Sequence, residues 1–275
     1  MTTRLTKYMD IKNVLFISQE ISPYLPDTAM SKMGFDIPQG LQEQGVQVRT
    51  FMPKYGIINE RRNQLHEVIR LSGMNIIIDD SDHPLIIKVA TLPSRAQVYF
   101  IYNDDFFAHT LTKELETATS PDDNDERSIF FVRGVIETVR KLRWIPQVIH
   151  CSGWITALAM VYMRELYSDD PSFRDAKIVY SLWDDEPAKE LDSRMAVKLK
   201  QDGISDETLA DILDKPVDNT MLTRLVLKHC DGVIQSSANV KPEILDIVKE
   251  SGLPFLPYVE GEEYVKNYLE FYKTL

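Results

Sequence analysis

The spacing of apolar positions along the chain predicts strands that alternate with helices. A buried strand is expected over Val14–Ile17, and a helix over Lys32–Gln44 ends at Gly45, which suits the left-handed turn after a helix. A second strand follows over Val46–Met52. Two strands connected in this way through a helix form a right-handed βαβ unit. The first part of the chain therefore predicts a parallel sheet.

The next segment predicts an antiparallel insertion in that sheet. Two β-rich runs, Glu67–Ile78 and Pro84–Leu92, are joined by the turn-like sequence DDSDH, and a further strand is expected over Gln97–Tyr102. Asp79, Asp80 and Asp82 suit a hairpin turn and lack the glycine and distal glutamate of a calcium loop. We therefore expect a β-hairpin inserted into the sheet.

The strand and helix pattern then resumes. An amphipathic helix is expected over Asp125–Lys141, where Asp122, Asp123 and Asp125 favour its positive end. The later predicted strands are Val148–His150, Lys177–Leu182 and Val233–Gln235. Helices are predicted over Thr156–Tyr167 and from Pro242 to Glu250, and the region Lys189–Cys230 is predicted to be helical. These patterns predict one doubly wound, mostly parallel, Rossmann-like α/β sheet.

Three regions follow from this pattern. Residues 1–11 form a polar N-terminal tail, residues 12–250 form the α/β domain, and residues 251–275 carry a C-terminal amphipathic helix. That helix, Glu262–Thr274, places aromatic residues on one side: Tyr264, Tyr268 and Phe271.

Composition narrows the class of protein. With 275 residues, of which 44% are hydrophobic, the chain can bury a real core without metal or disulfides. The two cysteines, Cys151 and Cys230, lie in apolar segments, and no export signal or membrane-spanning run is visible, so we expect a cytoplasmic protein. The net charge of −11, with no basic stripe, argues against nucleic acid as a partner.

Six separated segments resemble one known family in order and spacing. They are VLFISQEISPY, VQVRTFMPKYG, VYFIYNDDFF, DNDERSIFFVRGVIETV, PQVIHCSGWITALAMVYMRELY and DGVIQSS. From about Lys12 to about Ile247, the chain resembles the N-terminal domain of bacterial glycogen synthases and plant starch synthases. The resemblance implies one half of a GT-B glycosyltransferase. Such enzymes transfer glucose from ADP-glucose to an α-1,4-glucan with retention and without a metal.

The motifs of this family are altered in the present chain. The family's Lys-Thr-Gly-Gly-Leu turn falls on Pro26, Asp27, Thr28, Ala29 and Met30. Its His-Asp-Trp-His stretch falls on Ser152, Gly153, Trp154 and Ile155, and its later His-Asn pair falls on Trp183 and Asp184. The strands and helices around these motifs are kept, so the resemblance implies the frame of the enzyme without three of its cleft motifs.

The altered turn predicts weak binding of a nucleotide phosphate. Glycines in such a turn let backbone N–H groups approach an anion, and Thr28 and Ala29 crowd that approach. We expect the carboxylate of Asp27 to cap the following helix and to repel a pyrophosphate. Lys32, six residues after Pro26, is interpreted as an exposed helix lysine rather than a replacement cation.

Residues that the family pattern retains are the candidates for glucan binding. They are Glu20, Tyr24, Lys54, Tyr55 and Trp154, to which we add Trp183 and Asp184. The acidic run from Trp183 to Glu186 has two interpretations, a sugar platform or a solvated loop beside a partly buried tryptophan. His150 and Cys151 are adjacent on a strand, so they point to opposite faces and do not form a nucleophile pair. No metal or other cofactor is predicted.

Three functional hypotheses follow. The preferred one is a catalytically deficient module of glucan metabolism that binds α-glucan or another protein of glycogen metabolism. The second is an ADP-glucose-dependent glucosyltransferase that obtains its donor domain from a separate polypeptide, or a narrower activity that uses Asp184 and Glu186. The third is a protein-interaction domain that binds no sugar. The sequence leaves the oligomeric state open.

Overall fold

The computed structural model describes residues 10–92, 96–108, 122–261 and 263–275. Most of the predicted polar tail therefore lies outside the described residues, although Ile11 is buried. Within these ranges no helix combines the length and the apolar character needed to cross a membrane.

The strands of the described ranges are β1 (Asn13–Ser18), β2 (Gln47–Pro53), β3 (His66–Glu67), β4 (Met74–Ile78), β5 (Ser81–Thr91), β6 (Gln97–Tyr102), β7 (Val148–Ser152), β8 (Lys177–Leu182), β9 (Gly232–Gln235) and β10 (Phe255–Leu256). The helices are α1 (Ala29–Glu43), α2 (Asp104–Phe107), α3 (Asn124–Leu142), α4 (Leu158–Glu165), α5 (Met195–Gln201), α6 (Asp206–Leu209), α7 (Asn219–Leu227), α8 (Pro242–Ser251) and α9 (Tyr264–Thr274). A short 3-10 turn, Trp154–Thr156, follows β7.

The strands form one twisted sheet in the order β10-β9-β8-β7-β1-β2-β6-β5-β3, and β4 pairs with β5. The pairs from β10 to β6 are parallel, whereas β5 runs antiparallel to β3, β4 and β6. The doubly wound, mostly parallel fold with an inserted hairpin is thus confirmed. β1 pairs with β2 on one side and with β7 on the other, so the order in which the chain adds strands reverses at β1. Open α/β proteins bind ligands at such a switch point.

Alternation along the strands divides the core between the two faces of the sheet. In β1, Leu15 and Ile17 join the larger cluster with α3, α4, α7 and α8. Val14 and Phe16 point to the opposite face and join a smaller cluster with α1 and α9. Successive side chains of a strand point to opposite faces, so a continuous apolar run here serves both layers.

Helix α9 covers the second face of the sheet beside α1. Tyr268 and Tyr272 are buried there, and the Tyr272 hydroxyl lies 2.7 Å from Nδ1 of His150. His150 also stacks on Phe16 and contacts Ser181 Oγ through Nε2 at 2.8 Å, whereas Cys151 lies in the cluster on the other face. The prediction that the side chains of His150 and Cys151 point to opposite faces of the sheet is confirmed. The C-terminal segment is an integral layer of the domain.

Several predicted boundaries were wrong. The first strand of the hairpin is shorter than predicted, because residues 68–73 lie outside the strands. The second strand is longer at its start, because Ser81, Asp82 and His83 belong to β5 rather than to the turn. The edge strand β10 was not predicted, since two residues carry no periodicity. At the start of α3, Asp123 makes no capping hydrogen bond and instead pairs with Arg127 at 2.8 Å.

Candidate functional site

The carboxyl ends of β1, β7 and β8 meet at the position where open α/β sheets have their ligand crevice. We call this position the crevice, and its side chains are largely buried. The backbone N–H of Gln19 donates to the carbonyl oxygen of Ser152 over 3.0 Å and so extends the pairing of β1 with β7. The indole Nε1 of Trp183 donates to the Ser152 hydroxyl over 2.9 Å. These bonds join the carboxyl ends of three adjacent strands at the point where the strand order reverses.

Asp185 is the most perturbed acid of this crevice. Its Oδ2 atom is buried and has no hydrogen-bond partner among the described residues. Burial, and then the negative charge of Glu20, raise the pKa of Asp185 to about 7, against hydrogen bonds from Gln19 and the Trp154 backbone. A carboxyl group held partly protonated at neutral pH can donate as well as accept a hydrogen bond.

Tyr55 connects the crevice to β2. It is fully buried, and its hydroxyl donates to the Gln19 carbonyl oxygen over 3.0 Å. Burial, followed by the charge of Glu20, raises its pKa well above the ordinary range. Tyr55 therefore stays neutral and acts as a fixed hydrogen-bond donor to the backbone after β1.

The N-terminus of α1 lies beside this crevice and is capped by its own residues. Thr28 has extended backbone dihedrals, with φ −112° and ψ 167°, and its Oγ1 accepts from the Ser31 N–H over 2.9 Å. In return, Ser31 Oγ accepts from the Thr28 N–H over 2.8 Å. The Thr28 hydroxyl donates to Glu20 Oε2 over 2.6 Å. A capping box and a carboxylate thus occupy the end of the helix that attracts anions.

The prediction that Asp27 caps α1 was wrong. Asp27 precedes the capping residue and its Oδ1 accepts from the Ser22 hydroxyl over 3.0 Å, while Thr28 takes the capping position. Because Thr28 is the capping residue, α1 begins at Ala29, three residues before the predicted start at Lys32. Pro26 contributes its carbonyl oxygen, which accepts from Ser31 Oγ over 2.9 Å, and no positive charge.

The other predicted binding residues divide into two sets. Lys54 is buried, and its Nζ pairs with Glu60 at 3.0 Å and lies over the Tyr102 ring. Tyr24 is buried and packs edge-on against Phe100. Glu20, Tyr55 and Trp154 are instead brought together around Gln19 and Asp185.

The aromatic rings of the crevice are enclosed by protein. Trp154 is 1% exposed and Trp183 is 7% exposed, so neither ring presents an open face on which a sugar can stack. The three acids that follow Trp183 have different environments, so they form neither a uniform sugar platform nor a uniformly solvated loop. Asp184 is exposed, Asp185 buries an oxygen, and Glu186 pairs with Lys241 at 2.6 Å. Glucan binding by these residues stays a prediction.

Sequence reasoning gave no role to Gln19 and grouped Asp185 with exposed acids. A polar residue directly after a buried strand at the switch point is the signal that points to Gln19. No local pattern distinguishes Asp185 from Asp184, because burial of its oxygen depends on residues from β1 and β7. Among the described residues no three His, Cys, Asp or Glu side chains are grouped to hold a metal ion.

Comparison with known proteins places the chain in a family. A family model described as the starch synthase catalytic domain matches residues 13–254. The chain belongs to the starch synthase catalytic domain family. Its relatives include a glycogen synthase of Chlorobium chlorochromatii, 37% identical over 171 residues, which covers 62% of this chain and 35% of the relative. A glycogen synthase of Chlorobaculum tepidum is 33% identical over 235 residues, which covers 85% of this chain and 47% of the relative.

The fold agrees with this assignment. The catalytic domain of starch synthase IV from Arabidopsis thaliana, solved with ADP and acarbose bound, matches with a TM-score of 0.69 at 17% identity. The match covers 92% of this chain and 52% of that one. The chain thus has the Rossmann-like architecture of one half of a GT-B glycosyltransferase and spans between about a third and a half of the relatives described.

Proposed function

We propose that this chain is a carbohydrate-binding or regulatory member of the family in α-glucan metabolism that does not itself bind a nucleotide sugar or transfer glucose. The observation that carries the proposal is the closed N-terminus of α1. There the Thr28 and Ser31 pair satisfies helix groups that a phosphate would otherwise contact, and Glu20 adds a negative charge.

The residues around that turn add to the argument. Pro26 carries no positive charge, and Lys54 is already paired with Glu60. Asp27 lies exposed one residue before the cap. An incoming diphosphate would therefore meet carboxylates, and it would have to displace the capping hydroxyl to reach the helix N–H groups.

Carbohydrate binding rests on the family. The relatives are named glycogen synthases, and the solved starch synthase IV carries acarbose as well as ADP. Without a phosphate-binding turn before α1, the sugar is the ligand that such a domain can still recognise, by hydrogen bonds and apolar contact.

Two assays on the purified chain test the proposal. Transfer of labelled glucose from ADP-glucose to glycogen is measured first, with an active glycogen synthase as the positive control, and no transfer is expected. Co-sedimentation with glycogen is measured second, with retention expected. Transfer by the chain alone contradicts the proposal.

The two assays also separate the alternatives. Transfer that appears only after a second polypeptide is added favours an enzyme with a separate donor domain. Absence of both transfer and retention favours a protein-interaction domain that binds no sugar.

A further inference from the structure

A cavity lies between α1 and the C-terminal segment. Its volume is about 200 Å³. Lys32 and Met33 line it from the first turns of α1, Gln235 and Ser236 from the end of β9, and Tyr258 and Tyr264 from the segment that leads into α9. The cavity therefore has walls from three parts of the chain.

One wall lies beyond the residues that the family model matches. The family model ends at residue 254, whereas Tyr258 and Tyr264 lie beyond it. Of the residues in the three altered cleft motifs, Ala29 is the one that the described lining includes. The cavity thus depends on this chain's own C-terminal segment.

Hydrogen bonds hold two rings of this cavity in place. The Tyr264 hydroxyl donates to Asp36 Oδ2 on α1, and the Tyr268 hydroxyl lies 2.8 Å from Ser236 Oγ. Each bond joins α9 to another element of the domain. Rings fixed before binding lose little conformational freedom when a ligand arrives, which favours recognition.

Other groups of the lining remain available to a ligand. Lys32 is exposed, and neither its ammonium group nor the Tyr258 hydroxyl forms a hydrogen bond or ion pair with the described residues. Tyr258 is 42% exposed, and its backbone N–H donates to Gln235 Oε1 over 3.4 Å. An exposed aromatic ring and an unpaired ammonium thus border the same cavity.

This combination suits a neutral ring that carries hydroxyl groups. A pyranose offers C–H groups to aromatic and methionine side chains and a rim of hydroxyls to ammonium, amide and hydroxyl groups. An anion fits less well, because Lys32 is the one cation among the described residues of the lining and the sequence around Gly261 is acidic, with Glu260 directly before it.

We propose that the cavity between α1 and the segment before α9 binds a glucosyl unit of an α-glucan chain. The inference rests on the proposed function, because that function supplies the glucan. It adds a position for the sugar, in a cavity whose described lining includes Ala29 as the one altered motif residue. Lys32 and Tyr258 would contact the sugar directly, whereas Asp36 and Ser236 hold the rings of Tyr264 and Tyr268.

Calorimetric titration with maltotriose tests the site on three forms of the chain. The wild type is compared with the double variant Lys32→Ala/Tyr258→Ala, which removes two exposed side chains of the lining. The matched control is Lys249→Ala/Ile69→Ala, which removes an exposed lysine and an exposed apolar side chain elsewhere. We expect the cavity variant to bind at least tenfold more weakly than the other two. Urea unfolding verifies that all three are folded.

A local probe accompanies the titration. Maltotriose is expected to shift the methyl resonance of Met33, which lines the cavity, and not that of Met163, which is buried in the other layer. Equal affinity of wild type and cavity variant, with no shift at Met33, overturns the site and leaves the proposed function intact. No binding of maltotriose or glycogen to the wild type overturns both. Binding of inorganic phosphate at Met33 without maltotriose overturns the sugar assignment.

Discussion

The Thr28 hydroxyl donates a hydrogen bond of 2.6 Å to Oε2 of Glu20, and so connects the first residue before α1 to the end of β1. The hydroxyl oxygen of Thr28 also accepts a hydrogen bond from the Ser31 N–H. One side chain therefore caps the helix and binds the carboxylate that also raises the pKa of Asp185. The turn that holds phosphate in enzymes of this fold is here part of the protein's internal bonding.

The cap makes a measurable contribution to stability. Thr28→Ala removes both hydrogen bonds of the hydroxyl and is expected to lower the free energy of unfolding by about 1 kcal/mol, within a range of roughly 0.5–2. Thr28→Ser keeps the hydroxyl and serves as the control. Urea unfolding at pH 7 measures both variants, and equal stability of Thr28→Ala and wild type would contradict the capping role.

Asp185 makes stability depend on pH. Its pKa is raised in the folded protein from the ordinary 3.8 to about 7, so the folded state holds the proton more tightly than the unfolded state. This contribution is full below about pH 4 and is lost as pH rises to 7. We expect Asp185→Asn to exceed the wild type in stability at pH 8 by on the order of 2–4 kcal/mol, and by much less at pH 4.

Urea unfolding between pH 4 and pH 8 checks this difference. Asp184→Asn is the control, since Asp184 is the exposed neighbour of Asp185. A difference between Asp185→Asn and wild type that stays constant with pH would show that Asp185 keeps an ordinary pKa.

The charge of Glu20 contributes to that raised pKa. Glu20→Gln removes the charge, so the pKa of Asp185 is expected to fall below its value of about 7. Carbon-detected NMR titration of the Asp185 carboxyl group measures the change. The expected shift is downward by less than the full perturbation, because burial is the larger cause. An unchanged or increased pKa would exclude the interaction.

The bond between α9 and β7 is tested by Tyr272→Phe. The change leaves Nδ1 of the buried His150 without its partner at 2.7 Å, and we expect a loss of about 1–3 kcal/mol in the free energy of unfolding. His150 stays neutral, since burial lowers its pKa to about 3. The loss should therefore be the same at pH 5 and pH 8. Tyr258→Phe, at an exposed ring, provides the control for removal of a hydroxyl.

The sheet was largely predictable because its strands are apolar runs bounded by turns. Gln97–Tyr102 and Lys177–Leu182 were predicted with their observed bounds. Helices between residues 189 and 230 were predicted only as a region, because short helices such as α6 depend on packing rather than on periodicity.

The candidate site was less predictable. The alignment of the turn located the helix N-terminus, but charge alone suggested Asp27 as its cap. The backbone decides otherwise, because Thr28 is the extended residue directly before α1 and Ser31 completes the reciprocal bonds. The role of Asp185 could not be predicted from its neighbours, since its environment comes from Gln19, Glu20 and Trp154 in distant parts of the sequence.

Calorimetric titration of the purified chain with ADP tests the central claim most directly. The self-capped turn and the adjacent carboxylates predict no measurable heat of binding at millimolar ADP, while an active glycogen synthase titrated alongside binds it. Saturable binding of ADP to this chain, abolished by substitutions in the turn from Pro26 to Ser31, would contradict the account.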